Sequence, residues 1–467
     1  MKIPFSAGDA VRWCGGRLRQ GSEDEAIVGV SIDTRSVAAG ELFVAIRGEK
    51  HDAHAFLDRA LASGAAGLVV ESGAALPCDI ASDVPVVEVK DTTAALGALA
   101  AGHRAGFQGP LVAITGSNGK TTTKEMCASI LGVSVPCLKN RGNLNNQYGL
   151  PLTLLERDEA HRSVVVEIGM NHRGEIAPLA AIARPTVGVI TNVGTAHVEH
   201  LGSQDEIALE KGDLVAALSR DAWAVLNADD PRVLAQRERT VARVSTFGLG
   251  AEAEIRAERI TALGDRGHAF DLVTPAGSCA VHVAGLGDTS IPNALAAAAA
   301  ALATGASLED VAAGLARYRP VGGRMEAVSL PRNIILINDT YNANPQSMEV
   351  ALRSLSRLKG EGRGVAVLGD MGELGDTAGE AHRGLGRLAA HLGVDRLFLL
   401  GDHAHETMAA AIDAGLHPSS VQVGRDHESL GRSVREILRG NDWVLVKGSR
   451  SMRMERVVEA LTSEEAD

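Results

Sequence analysis

An α/β protein of three domains is predicted from three observations. Short apolar strand-like runs alternate with helical patterns along the whole chain, which implies mostly parallel sheets. A glycine-rich loop, Gly116-Ser117-Asn118-Gly119-Lys120-Thr121-Thr122, lies between one such run and a helical stretch. The rhythm breaks at Phe107-Gln108-Gly109-Pro110 and again near Tyr318-Arg319-Pro320-Val321-Gly322-Gly323, both turn-rich. The predicted domains are therefore 1–108, 109–318 and 319–467. The central one is a P-loop mononucleotide-binding parallel sheet, and the last repeats the β/α rhythm as a Rossmann-like domain.

In the first segment, 26–32 and 42–46 read as strands, 55–62 as a helix, and 67–70 and 86–89 as strands. Residues 91–105 read as a helix, with Asp91 or Thr92 as N-cap. The second segment opens on a strand at 111–115 that runs into the loop and a helix from Lys120. Buried strands follow at 164–168, 187–191 and 223–226. In the third segment, strands are expected at 334–337, 364–368, 397–400 and 443–446, each followed by a helix.

Composition narrows the function. Aromatic residues are only 3% of the chain, so Ala, Val, Leu and Ile must fill the cores. A formal charge of -12 argues against nucleic acid, whose phosphates need a basic footprint. The start, Met1-Lys2-Ile3-Pro4, lacks an apolar signal core, and the apolar run 294–303 is far too short for a membrane span. Five cysteines without a C-x-x-C pair give neither a zinc site nor a disulfide framework. A cytoplasmic enzyme with no nucleic-acid or membrane partner is expected.

A phosphate group is bound by backbone N–H donors from an unhindered loop at a helix N-terminus. Gly116 and Gly119 remove bulk, Lys120 supplies a cation, and Thr121 offers an oxygen to Mg²⁺. The standard P-loop carries glycine five positions before Gly119, where this chain has Ile114. Downstream, Glu167 ends the apolar run 164–168, at the carboxyl end of a strand, where α/β sheets place ligands. The next strand along the chain ends in Thr191-Asn192-Val193-Gly194-Thr195-Ala196-His197, and beside a phosphate loop and a strand-end carboxylate His197 becomes a candidate metal ligand. Lys211, taken alone, is a solvated lysine on the helical stretch 205–213. Kinase, motor and ligase all remain open at this point.

Together, 115–122, Glu167-Ile168-Gly169, and Thr191-Asn192 followed by His197 resemble the Mur ligases, ATP-dependent amide-forming enzymes of peptidoglycan precursor synthesis. The resemblance covers essentially the whole chain. Asp33-Thr34-Arg35 with 40–45 is similar to the UDP-sugar signature of the first domain. Residues 142–146 and 149–153, containing Asn145 and Asn146, resemble the segment facing the UDP-muramoyl substrate. Asn293 opens a helix resembling the one whose asparagine approaches the nucleotide base. Asp339-Thr340-Tyr341-Asn342-Ala343-Asn344-Pro345, with 368–375 and 446–450, resembles the branch that adds D-alanyl-D-alanine. The Asp-Asn-Pro-Arg string of the diamino-acid-adding branch has its nearest counterpart in Asp229-Asp230-Pro231-Arg232, which lies in the second domain and reads as a turn and helix start. Asp52-Ala53-His54 replaces a usual Asp-Gly-His, and Gly285-Leu286-Gly287-Asp288 lacks a usual histidine.

The resemblance implies a set of roles. Gly116, Ser117, Asn118, Gly119, Lys120, Thr121, Thr122 and Asn293 would hold ATP, joined by Arg324, Asp339 and Asn344 from the third domain. Thr34, Arg35, Asn145 and Asn146 would bind UDP-MurNAc-tripeptide. Thr121 and Glu167 would ligate one Mg²⁺, and His197 with Lys211 a second. Lys120, Glu167, His197 and Lys211 form the implied catalytic set. Mg²⁺ prefers oxygen donors, so the resemblance places a CO₂-derived carbamate on Lys211. The expected enzyme is a monomer that joins D-alanyl-D-alanine to the tripeptide carboxylate through an acyl phosphate. Its rivals are another Mur-type ligase and a P-loop ATPase without ligase activity.

Overall fold

A computed structural model of the chain describes residues 3–48, 50–194 and 198–463. Among the described residues, the strands form a two-stranded ribbon and sheets of five, nine and six strands. The five-stranded sheet runs Arg17–Gln20, Val86–Val89, Gly67–Glu71, Glu41–Val44, Gly29–Ser31. Its first strand is antiparallel to the next, and the rest are parallel. The strand expected at 26–32 is split in two, Ala26–Ile27 and Gly29–Ser31, because Val28 leaves both ladders to meet the Gly40 carbonyl.

The central sheet is the frame of the molecule. Ser163–Glu167, Leu111–Thr115, Val187–Ile190 and Trp223–Asn227 lie side by side and parallel. Alternate residues go to opposite faces, and both faces are covered. Leu111, Ala113, Val164 and Val166 join the core beneath the helices Thr92–Ala105, Gly149–Leu155 and Ile176–Ala183. Val112, Ile114 and Val165 join the other core, beneath Lys120–Leu131 and Ser290–Ala303. A parallel strand buried on both faces must be apolar throughout, which is why these runs were legible.

The helix Thr92–Ala105, N-capped by the Asp91 side chain on Ala94 N–H, packs against both Gly149–Leu155 and Ile176–Ala183. Its Leu96 and Leu99 share one core with Leu42 and Val69 of the first sheet. That shared apolar core fixes the first sheet to the central one. Phe107, in the expected linker, is buried with the guanidinium groups of Arg104 and Arg157 over its ring.

The far edge of the central sheet differs from the expectation. Ile255–Ala262, His268–Thr274 and Gly277–Val283 are antiparallel, a meander that the parallel reading missed. The signal was present in His268-Ala269-Phe270-Asp271-Leu272-Val273-Thr274, which alternates buried and half-buried positions. This meander is only partly covered, so it carries the period-2 pattern rather than a solid apolar run.

The third sheet runs Glu326–Leu330, Ile334–Asp339, Trp443–Lys447, Gly364–Gly369, Arg396–Leu400, Val421–Val423, parallel except for its first strand. Asp339 and Lys447 close neighbouring strands, and Asp370 follows Gly369, so three charged side chains gather at its carboxyl edge. Among the described residues, no helix is long and apolar enough to cross a membrane.

With few aromatics, tight helix contact comes from alanine. Ala294, Ala296, Ala297, Ala298 and Ala300 are fully buried on Ser290–Ala303, which packs against Lys120–Leu131. A larger side chain there would have to displace the neighbouring helix. Ala298→Leu is expected to destabilise by roughly 1–3 kcal/mol through overpacking. Thermal unfolding of that variant, compared with wild type, checks the estimate.

Candidate active site

The strand Leu111–Thr115 leads straight into the loop, and the loop into the helix Lys120–Leu131. Gly116 and Gly119 have φ of +150° and +82°, and a Cβ at either position would collide with Thr191 or Asn293. Glycine is required twice over, by backbone angle and by space. The helix starts with no side-chain cap, leaving its first turn to the cleft as an anion-binding end. Lys120 Nζ donates to the Gly116 carbonyl at 2.9 Å, folding back over the loop. Burial lowers the Lys120 pKa; Glu167 opposes this shift, and Arg324 adds to it.

Glu167 sits opposite, only 3% exposed. Its two carboxylate oxygens accept from Thr121 Oγ1 at 2.6 Å and Asn145 Nδ2 at 2.8 Å. Burial alone would push its pKa up. The Lys120 charge, the Thr121 hydroxyl, Arg324 and Asn145 outweigh that and hold it below the usual carboxylate value. The group therefore stays anionic inside the protein.

These groups line a cleft of about 930 Å³ between the central and third sheets. From the strands of the third sheet come Asp339 and Lys447, and from the turns that flank them Arg324, Tyr341 and Asn344. The Arg324 guanidinium stacks 3.8 Å above the Tyr341 ring. Asp339 accepts from Lys447 Nζ at 2.6 Å and from Met325 N–H at 3.1 Å, while Lys447 also donates to the Asn342 carbonyl at 2.8 Å. Asn344 caps the helix Pro345–Leu358 and donates to Asn118 Oδ1 at 3.1 Å. Asn118 Nδ2 donates in turn to Gln346 Oε1 at 2.9 Å. The loop side chain thus clasps the third sheet's helix.

The structure brings Ser117, Asn118, Gly119, Lys120, Thr121, Thr122, Glu167, Asn145, Asn146, Asn293, Arg324, Asp339 and Asn344 to one cleft. Thr34 and Arg35 are not among its lining; they lie on the first sheet's loop, where Arg35 is exposed and paired with Asp33 at 2.6 Å. His197 lies outside the described residues. The chain leading to it is held by Gly194 N–H on Ser117 Oγ (2.8 Å) and Val193 N–H on Asp230 Oδ2 (2.7 Å). Asp230 also caps the helix Pro231–Leu234, so the Asp229–Arg232 string is the turn and helix start expected of it.

Lys211 is not the solvated lysine that its helix alone implied. It is 2% exposed on Gln204–Ala216. Burial, then the nearby Lys120 charge, push its pKa well below the usual ammonium value, against the pull of Glu210. The carboxylates beside it in sequence serve other partners. Glu210 accepts three N–H groups, from Gly174, Glu175 and Ile176, and Asp213 pairs with Arg239.

Sequence reasoning assigned no role to Lys447, Tyr341 or Gln346. Lys447 had a signal: a lysine closing an apolar strand, opposite a strand closed by Asp339. Tyr341 stands in the 339–345 signature, but nothing local gave its ring a partner, and Gln346 had no signal, because their partners come from elsewhere in the chain.

Fold and site together define a nucleotide-binding P-loop protein with a two-sided cleft. Family models described as "Mur ligase family, catalytic domain", "Mur ligase middle domain" and "Mur ligase, glutamate ligase domain" match residues 26–104, 114–301 and 323–450. The chain belongs to the Mur ligase family. It is 38% identical over 436 residues to the UDP-N-acetylmuramoyl-tripeptide--D-alanyl-D-alanine ligase of Escherichia coli, covering 92% of this chain and 93% of that one. The Bacillus subtilis ligase of the same name is 33% identical, covering 94% of each. A crystal structure of MurF from Acinetobacter baumannii superimposes with a TM-score of 0.89 at 33% identity, over 98% of this chain and 99% of that one. MurF from Thermotoga maritima in complex with ADP gives 0.81 at 26%, over 93% and 96%.

One wall of the cleft carries a pH-sensitive support. Met371 N–H donates to His382 Nε2 at 3.0 Å, and His382 Nδ1 contacts the Ala378 carbonyl at 2.7 Å, so the ring is neutral with its proton on Nδ1. Burial lowers the His382 pKa; the Ala378 carbonyl, Asp370 and Glu406 pull the other way, and the stacked His403 adds to the lowering. Folding therefore favours the unprotonated ring. Its contribution is complete above the ordinary value of 6.5 and shrinks as pH falls through and below it. The melting temperature should drop between pH 7.5 and 5.5, and should drop less in His382→Gln.

Proposed function

We propose that the chain is the ATP-dependent ligase that joins D-alanyl-D-alanine to UDP-MurNAc-tripeptide, giving UDP-MurNAc-pentapeptide, ADP and phosphate. The observation that carries this is one cleft holding a phosphate loop, an anionic Glu167 and the third sheet's Asp339–Lys447 pair. The Mur ligase family, a D-alanyl-D-alanine ligase name on 38%-identical E. coli and 33%-identical B. subtilis relatives, and an ADP-bound structural neighbour support it.

A carboxylate does not react with an amine at neutral pH, because oxide is a poor leaving group. Transfer of the γ-phosphoryl group to the tripeptide carboxylate forms a C–O–P linkage and releases ADP. The dipeptide's neutral amine then forms the C–N bond, phosphate departs with the C–O electrons, and the amine proton is lost. Lys120 and the first turn of its helix offset the repulsion between carboxylate and γ-phosphate. Arg324, Asp339 and Asn344 reach the nucleotide from the other wall, and Asn293 reaches its base. Closing the two walls keeps water from the activated acyl group.

Thr121 and Glu167 fit a Mg²⁺ ion: two oxygen donors are already 2.6 Å apart, one of them a buried anion. Bound there, Mg²⁺ would neutralise phosphate charge. His197 and Lys211 would hold a second ion. The buried Lys211 amine, kept unprotonated, is the form that adds to CO₂; an N–C bond forms, one proton leaves, and a carbamate with two oxygens results. Asn145 and Asn146 at the cleft, with Thr34 and Arg35 on the first sheet, would hold the UDP-linked substrate. The domains are taken as 1–108, 109–318 and 319–467, working as a monomer in the cytoplasm, where ATP and UDP-sugars are found.

Phosphate release from ATP should need both UDP-MurNAc-tripeptide and D-alanyl-D-alanine. Efficient turnover with free D-glutamate, L-alanine or diaminopimelate as the only amine would move the chain to another branch. ATP hydrolysis unaffected by either substrate would make it an ATPase. Lys211→Ala should lose turnover by about 10²-fold or more and regain part of it with added acetate. Full activity of that variant in CO₂-depleted buffer would eliminate the carbamate.

A further inference from the structure

Glu167 can work as a cation ligand only if its backbone is fixed, and one buried asparagine does this. The short edge strand Cys137–Lys139 runs parallel to Ser163–Glu167, with Lys139 opposite Val165 as the last pair. One residue later the backbone ladder ends, and the Asn140 side chain continues it. Its Oδ1 accepts from Glu167 N–H at 2.9 Å, and its Nδ2 donates to the Glu167 carbonyl at 3.2 Å. Asn140 Nδ2 also donates to the Leu144 carbonyl at 2.9 Å, bracing the turn that presents Asn145 to the Glu167 carboxylate.

Asn140 is held from behind. Lys124, completely buried, donates from Nζ to the Asn140 carbonyl at 2.6 Å and lies 3.1 Å from Glu125 Oε1. Glu125 in turn pairs with Lys139. Lys124 stands one helical turn after Lys120 on Lys120–Leu131, the helix that also carries Thr121. A chain of hydrogen bonds therefore links the two oxygen donors through protein. Thr121 is fixed by its helix, that helix by Lys124 to Asn140, and Asn140 to the backbone of Glu167. A buried lysine anchored on a carbonyl is an expensive way to hold a strand end if packing were all that mattered. It is a stiff way to hold two ligands at one separation.

We infer that Asn140, anchored by Lys124, is a positioning residue that sets the distance between Thr121 and Glu167 and orders the loop carrying Asn143, Asn145 and Asn146. This rests on the assignment of Thr121 and Glu167 to a divalent cation. Asn140→Leu keeps the branching of the side chain and removes its three hydrogen bonds. Mn²⁺ binding to the full-length ADP-loaded protein, followed by electron paramagnetic resonance, is the readout. Mn²⁺ affinity should fall about tenfold or more in Asn140→Leu, while ADP binding in the presence of a chelator stays within about twofold of wild type. Turnover should fall with little change in the KM for D-alanyl-D-alanine. Lys124→Met should weaken Mn²⁺ binding in the same direction, and Lys124→Arg should restore most of it. Wild-type Mn²⁺ affinity in folded Asn140→Leu or Lys124→Met overturns the inference, even if their melting temperatures drop. If Asn140→Leu does not fold, the Lys124 pair decides. If the wild-type ADP complex itself binds no Mn²⁺, the cation assignment fails instead.

Discussion

The structure turns on keeping one carboxylate charged inside a protein. An isolated buried anion costs several kcal/mol and would take up a proton instead. Glu167 avoids this because its surroundings supply cations and donors from separate parts of the chain. Lys120 and Thr121 come from the loop helix, Asn145 from the turn after the edge strand, and Arg324 from the third sheet. None of them is near Glu167 in sequence. The fold can be described as whatever brings those four groups to the end of Ser163–Glu167.

The parallel strands of two mixed sheets, meeting at their carboxyl ends, provide that arrangement. Each presents loops and helix starts to the same cleft, so phosphate chemistry can be shared between walls that belong to different domains. The walls touch through polar contacts, Asn118 with Asn344 and Gln346 and an Asp288–Arg357 ion pair, and through Leu286, which is buried in the third sheet's apolar core. Each of these hydrogen bonds contributes only about 0.5–1.5 kcal/mol net. The first sheet is different. It is fixed to the centre by a continuous apolar core through Thr92–Ala105.

Lysine chemistry shows how burial decides roles that residue type leaves open. Lys120, Lys124, Lys211 and Lys447 have the same side chain and four different situations. Lys120 faces the cleft over the phosphate loop, Lys124 is buried on the Asn140 carbonyl, Lys447 pairs with Asp339 across neighbouring strands, and Lys211 is pushed toward its neutral form. Their helix or strand positions in the sequence do not distinguish these.

The sequence by itself determined the central parallel strands, the phosphate loop and the strand-end place of Glu167, because each is a local matter. Doubly covered strands must be apolar, and a loop that must pass close to a phosphate must be glycine-rich. The family resemblance also assigned Asn293, Arg324, Asp339 and Asn344 to one site, and all four line the cleft. Tertiary structure alone decided the antiparallel meander at 255–283, the burial of Lys211, the separation of Thr34 and Arg35 from the cleft, and the partners of Tyr341, Gln346 and Asn140. Those depend on contacts between residues tens to hundreds of positions apart, and a half-covered edge or an isolated polar side chain leaves no local pattern from which such a contact can be read.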